Sequence, residues 1–284
     1  MQTYTDAIVC GIPETIPRSA STGASIDIGK AREQHRVYVE TLRKLGMDVW
    51  ELEPDDNHPD CTFVEDIAII CGDTALLCRP GQQNRENEVK VVKSILFREF
   101  SHIELLDLKD DRAKLDGGDV VFTGREIFVG MNKRTNEAGA QQVAKAFPDY
   151  PCLAIPLESP LHLKDYISMA GPKSIVVGDS AIARKVLQKI ENEATYRYEI
   201  ISVPDDLANC LYANGTLIHK AGHPNAAKTL ADKLRCPKIT LDFSELAKLD
   251  GHMTSCCLLV GKSHFRRPAP SHSNGHDILP VHAR

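Results

Sequence analysis

Five times along this chain an amphipathic helical segment recurs, near residues 29–46, 86–100, 136–147, 181–192 and 225–235, with apolar positions at helical spacing and charges between them. Several of these segments follow two short strand-like runs joined by a tight turn. IAII and TALL meet around Gly72-Asp73, VVF and IFV around Gly124-Arg125, and CLYA and TLIH around Asn214-Gly215. The last is the strongest hairpin signal, because Asn-Gly accepts the positive φ angles a two-residue turn requires. Extended runs then follow the helices, at 47–52, 103–108, 152–156, 198–203 and 238–242. The unit reads strand, strand, helix, strand, repeated about five times with a period of roughly 45–58 residues. Such units cannot cover their own apolar faces, so they stack or close radially on their neighbours. An ordinary mixed α/β sandwich stays open as the alternative. No glycine-rich phosphate loop opens any of the helices, which argues against a doubly wound nucleotide-binding fold.

Composition limits the function classes. The 284 residues are 42% hydrophobic and 26% charged, as in a globular enzyme, and the formal net charge is −5. No lysine- or arginine-dense stripe exists to neutralise phosphates, so nucleic acid is not expected as a partner. No apolar run approaches the roughly 20 residues needed to span a bilayer, and the first ten residues do not read as a targeting peptide. Nine cysteines are scattered without framework spacing. They read as reduced thiols of a cytoplasmic protein. From Ser263 onward proline, serine, histidine and glycine replace any periodicity. Residues 1–262 are therefore expected to form a single domain and 263–284 a disordered tail.

Several stretches carry residues suited to chemistry. Asp60-Cys61-Thr62-Phe63-Val64-Glu65-Asp66 gathers three carboxylates around an aromatic ring before a strongly apolar strand. These acids are either solvated turn residues or a fork that receives a planar guanidinium through parallel charge-assisted hydrogen bonds. Asp116-Gly117-Gly118-Asp119 permits close backbone approach, either as a plain β-turn or as the support of a histidine. His162 is one histidine candidate. His219 and His223 have helical metal-ligand spacing, but Gly222 and Pro224 break a helix there, which discounts a zinc enzyme. Near the end, Asp250-Gly251-His252-Met253-Thr254-Ser255-Cys256-Cys257 leads into a final apolar strand. Adjacent side chains on a strand face opposite sides. Cys256, nearer the loop, is then the better candidate to face a site while Cys257 packs inward, and two core cysteines remain the alternative.

Taken in order, these stretches form a series: FVED at 63–66, RPG at 79–81, LDGGD at 115–119, KRTN at 133–136, LHLK at 161–164, SMAGP at 168–172, PDD at 204–206, SEL at 244–246, and the final DG and CC. With this series the chain resembles the dimethylarginine dimethylaminohydrolases over residues 7–262. The resemblance implies a five-bladed α/β propeller (pentein) of ββαβ repeats around a pseudo-five-fold axis. It also implies Cys256 as nucleophile, His162 as general acid and base, and Asp116 as the carboxylate orienting that histidine. Asp60, Glu65 and Asp66 would hold the guanidinium and Phe63 would line the pocket. Arg85 and Arg134 would grip the amino-acid end, with Leu249 and Asp250 bordering the substrate and residues 14–25 in the place of a lid. The Cys256 assignment requires a one-residue gap after Asp250-Gly251. Without the gap Ser255 takes the nucleophile's place, and the gapped reading is preferred because serine attacks a resonance-stabilised guanidinium poorly.

The activity so implied is hydrolysis of N-ω-methylated arginines to citrulline and methylamine or dimethylamine through a covalent thiouronium intermediate. No cofactor is needed for it, and the partner is a small molecule acting on a monomer or homodimer. Cys256, His162 and Glu65 are expected to be able to take an inhibitory zinc ion. The alternatives are an arginine or agmatine deiminase, or a propeller that binds without turnover.

Overall fold

The computed structural model describes residues 3–19, 25–81 and 85–262. The expected tail at 263–284 lies outside the described residues, as does the middle of the 14–25 loop.

Among the described residues, five three-stranded sheets carry the architecture. One sheet holds β3 (Ala68–Cys71), β4 (Thr74–Leu77) and β5 (Glu104–Leu106), with α2 (Glu86–Glu99) between the last two strands. The next holds β6 (Val120–Phe122), β7 (Ile127–Met131) and β8 (Cys152–Pro156), with α3 (Glu137–Ala146). It is followed by β9 (Ile167–Met169), β10 (Ser174–Val177) and β11 (Glu199–Ser202), with α4 (Ala181–Glu193). The fourth consists of β12 (Leu211–Ala213), β13 (Thr216–Lys220) and β14 (Lys238–Leu241), with α5 (Pro224–Lys233). In each, the first two strands form an antiparallel hairpin and the third runs parallel to the second. A parallel neighbour demands a crossover, which the helix supplies. The hairpin turns use the residues the sequence placed there: Gly72 and Gly124 have φ of 60° and 84°, and Asn214-Gly215 has 46° and 83°.

The remaining sheet joins the two ends of the chain. β1 (Thr3–Cys10) leads through α1 (Ile28–Lys44) to the parallel β2 (Asp48–Leu52). Its hairpin partner is β15 (Leu258–Lys262), antiparallel to β1 with Ile8 opposite Leu258. The apolar strand that closes the sequence thus completes the first unit, a pairing across the whole chain that no local pattern reveals. A short helix α6 (Ser244–Ala247) precedes it.

Each helix buries one stripe against its sheet; in α1 that stripe includes Ala31, Tyr38, Val39 and Leu42. Residues from β3, β6, β9, β12 and β15, the first strand of every unit, line a cavity of about 150 Å³. The pseudo-five-fold axis expected for a pentein runs through it, and the architecture is the five-bladed α/β propeller. The chemistry-bearing segments 60–66, 115–119, 162–165 and 250–257 all lie immediately before a first strand, so the topology gathers them at one end of the axis.

Candidate active site

His162 occupies the first position of a short turn that runs through Leu163–Asp165 into β9. Its backbone N–H donates to Asp165 Oδ2 (2.8 Å), and Asp165 N–H returns to the His162 carbonyl (3.2 Å). The ring is thereby aimed at two acids. Nε2 lies 3.0 Å from Asp116 Oδ2 and 3.6 Å from Asp66 Oδ1, with 15% of the side chain exposed. Asp116 and Asp66 are both buried. Asp66 Oδ2 accepts from Arg85 (2.6 Å), and its Oδ1 accepts the Gly118 N–H (3.2 Å).

The paired glycines are required by close packing. A Cβ on Gly117 would stand 1.9 Å from the Glu65 carbonyl oxygen, and one on Gly118 would stand 2.7 Å from His162 Nδ1 and 3.0 Å from Asp66 Oδ1. Gly118→Ala is therefore expected to push the imidazole off its carboxylates and to lower kcat/KM for the substrate proposed below by roughly 100-fold, the scale of a misplaced catalytic group. Unchanged kinetics in a folded Gly118→Ala protein would disprove this packing argument.

Opposing forces set the protonation states. Burial by itself disfavours the His162 cation, but the charge of Asp66 and the hydrogen bond to Asp116 outweigh it and raise the imidazole to about 10. Asp66 is held below the usual carboxylate range, its burial outweighed by the neighbouring His162 and Arg85 charges. Asp119 goes the other way, to about 6, because burial dominates. It nevertheless anchors the site, accepting from Thr135 (2.6 Å), Asn132 (2.9 Å) and the Leu163 N–H (3.0 Å). At neutral pH the centre is an imidazolium clamped between two carboxylates, poised to give a proton rather than take one.

The structure distributes the other expected residues unevenly. Phe63 is buried, with its ring edge against Gly251, and Leu249 is buried close by in the same cluster. Asp60 is partly exposed and Asp250 exposed, the latter in left-handed backbone with φ of 55°. Arg134 is 35% exposed with its guanidinium 4.0 Å from Asp116, so it is a cation at the mouth. Arg85 differs from the expectation. Its side chain is 4% exposed and committed to Asp66, Glu88 and the carbonyls of Asp60 and Phe63. It braces the acidic stretch from behind instead of reaching the end of a ligand. Glu65 also differs: its oxygens accept from Lys164 Nζ (2.6 Å) and Thr254 Oγ1 (2.8 Å) at the axial cavity. Burial raises its carboxyl against the pull of Lys164.

Cys256 departs furthest. It is 0% exposed, packed in a cluster that also holds Cys257, Tyr38 and Met253, and burial holds its thiol far above the ordinary range. The expectation that Cys256 is the exposed one of the two is not met: residues 253–256 form a turn, the strand begins only at Leu258, and both cysteines are buried. Cys257 lines the axial cavity and accepts the Tyr38 hydroxyl (3.1 Å). The expected zinc set of Cys256, His162 and Glu65 is corrected likewise. Among the described residues, the ligand atoms that converge within 4.8 Å belong to Asp66, Asp116 and His162. Sequence reasoning missed Lys164, Thr254, Asp119 and Asp165 as site residues, although Lys164, Thr254 and Asp119 sit in stretches it singles out.

A five-bladed propeller whose first-strand loops converge on a histidine and clustered carboxylates defines the pentein class of guanidine-modifying proteins. The family model described as N,N dimethylarginine dimethylhydrolase, eukaryotic, matches residues 14–256, and the chain belongs to that family. It is similar to DDAH2 of Homo sapiens, 34% identical over 268 residues covering 89% of this chain and 93% of that one. It is also similar to the N(G),N(G)-dimethylarginine dimethylaminohydrolase of Streptomyces coelicolor, at 33% over 239 residues, 83% of this chain and 87% of the relative. A solved dimethylarginine dimethylaminohydrolase of Pseudomonas aeruginosa, a cysteine-to-serine mutant complexed with citrulline, superimposes with a TM-score of 0.80 at 24% identity, over 91% of this chain and all of the other.

Proposed function

We propose that this chain is a hydrolase of N-ω-methylated arginines, forming citrulline and dimethylamine or methylamine. The observation that carries the reading is the His162 imidazole held 3.0 Å from Asp116 and 3.6 Å from Asp66 beside a partly exposed acidic loop. A guanidinium ligand is a planar cation, and the partly exposed Asp60, in the same stretch as the buried Asp66, is placed to offer it negative charge. Arg134, a partly exposed cation 4.0 Å from Asp116, is placed to meet an α-carboxylate.

Chemically, a nucleophile from the 254–257 junction bonds to the guanidinium carbon while His162 donates a proton to the departing amine. The then-neutral imidazole activates water, which adds to the same carbon and expels the nucleophile, leaving citrulline. The names of the relatives support methylated arginine as substrate. The reading keeps the chain in a reducing cytoplasm, acting on a small molecule as a monomer or homodimer, without nucleic acid and without a cofactor. All nine cysteines are free, and among the described residues no helix is long and apolar enough to cross a membrane.

The test is citrulline formation from asymmetric dimethylarginine, monomethylarginine and arginine in parallel, with binding followed by calorimetry. Preference for the methylated substrates is expected, and Arg134→Ala should raise KM by about 10-fold or more with kcat less affected, as loss of uniform binding requires. Preference for unmethylated arginine would move the assignment to a deiminase.

A further inference from the structure

The position at which this site meets the reacting carbon is decided within residues 253–258. Met253, Thr254, Cys256, Cys257 and Leu258 are all buried, and Ser255 alone in this stretch is partly exposed. Across the turn over 253–256, Met253, Cys256 and Cys257 pack into one apolar cluster while Ser255 keeps partial exposure. Ser255 is also tied to both halves of the site. Its carbonyl accepts the Glu65 N–H (3.2 Å), which fixes it against the acidic stretch. Its hydroxyl accepts the His252 N–H (3.2 Å), and the His252 ring lies 3.4 Å from Asp165, the residue that holds the His162 backbone. No cysteine sulfur joins the convergent group of Asp66, Asp116 and His162.

Resting on the methylarginine reading above, we infer that Ser255 is the side chain this site sets against a bound guanidinium carbon and that Cys256 is a core residue outside the chemistry. The native chain is consequently a hydrolase of methylated arginine limited at the attack on the guanidinium carbon. A hydroxyl must lose its proton to attack, and an imidazolium already clamped by two carboxylates does not accept one. A thiol at the same place would ionise beside the cationic substrate without help. Its sulfur would bond to the guanidinium carbon as the amine leaves with the His162 proton. Water would then add, the C–S bond would break, and thiol and citrulline would be released.

The experiment compares wild type, Ser255→Cys, Ser255→Ala and Cys256→Ala in citrulline formation from asymmetric dimethylarginine, with the dissociation constant measured by calorimetry. Ser255→Cys is expected to raise kcat by about 100-fold or more, the scale on which an activated thiol exceeds an unactivated hydroxyl. Cys256→Ala should stay within about two-fold of wild type. Because Cys256→Ala removes a core side chain, iodoacetamide labelling of the folded proteins gives a second readout. Cys256 in wild type should resist modification, whereas the new thiol of Ser255→Cys should be modified and protected by substrate. Loss of turnover in a folded, substrate-binding Cys256→Ala protein overturns the inference. So does ready labelling of Cys256 with loss of activity, or a Ser255→Cys protein that binds substrate yet is no faster than wild type. Absence of both binding and turnover in wild type and Ser255→Cys instead sinks the methylarginine reading, and the inference with it.

Discussion

Asp66→Ala is expected to destabilise the fold by about 3–5 kcal/mol and to abolish citrulline formation, because it removes one partner from a buried ion-pair network. The Arg85 guanidinium behind it is 4% exposed and shares its charge between Asp66 (2.6 Å) and Glu88 (2.7 Å) while donating to the carbonyls of Asp60 and Phe63. Without Asp66 that cation is under-compensated where water cannot reach it, and the Gly118 N–H loses its acceptor. The same change takes away the strongest charge supporting the His162 imidazolium. Urea denaturation and the citrulline assay read the two effects separately. Asp60→Ala is the contrast, since Asp60 is partly exposed and its carbonyl, not its carboxylate, meets Arg85; its stability should change by less than about 1 kcal/mol. Equal denaturation midpoints for the two variants would show that Asp66 is not structural.

The burial of Arg85 marks the boundary between what the sequence discloses and what it conceals. Periodicity is a local property, so the five helices lie within two residues of their expected bounds, and the Asn214-Gly215 turn has the positive φ angles its residues suggest. Residue type alone left several histidines open; the family resemblance singled out His162 and Asp116, whose adjacent first-strand loops bring them to 3.0 Å. Direction did not follow from type. Whether an arginine points toward a ligand or back into the protein depends on acids such as Glu88, one helical turn along in α2. Lys164 was invisible for a similar reason: its partners Glu65 and Gly117 belong to two other blades. The Ser255-Cys256-Cys257 run shows the limit most clearly. Strand alternation assigns faces to adjacent residues, but a turn of four residues shifts the phase by an amount no pattern rule supplies.

His162→Asn should separate catalysis from stability through their pH dependence. Loss of the proton donor is expected to lower kcat by about 100-fold to 10,000-fold at neutral pH, the usual range for a positioned acid–base group. For stability, the sign follows from the raised pKa. The folded-state value is about 10 against an ordinary 6.5, because the charge of Asp66 and the bond to Asp116 outweigh burial. The folded protein therefore binds this proton more tightly than the unfolded chain. The stabilisation is fully present below about pH 6.5 and is lost as pH rises through 10, with a limiting slope of ~1.4 kcal/mol per pH unit. Other groups titrate in the same window, so the quantity to measure is the difference in unfolding free energy between wild type and His162→Asn from pH 6 to 10. That difference should be greatest and level at the acidic end and shrink steadily toward pH 10. A difference that stays constant across the range would mean that His162 is neutral in the folded state. The proton given to the leaving amine would then have to come from another group, and the clamp of Asp66 and Asp116 would serve position alone.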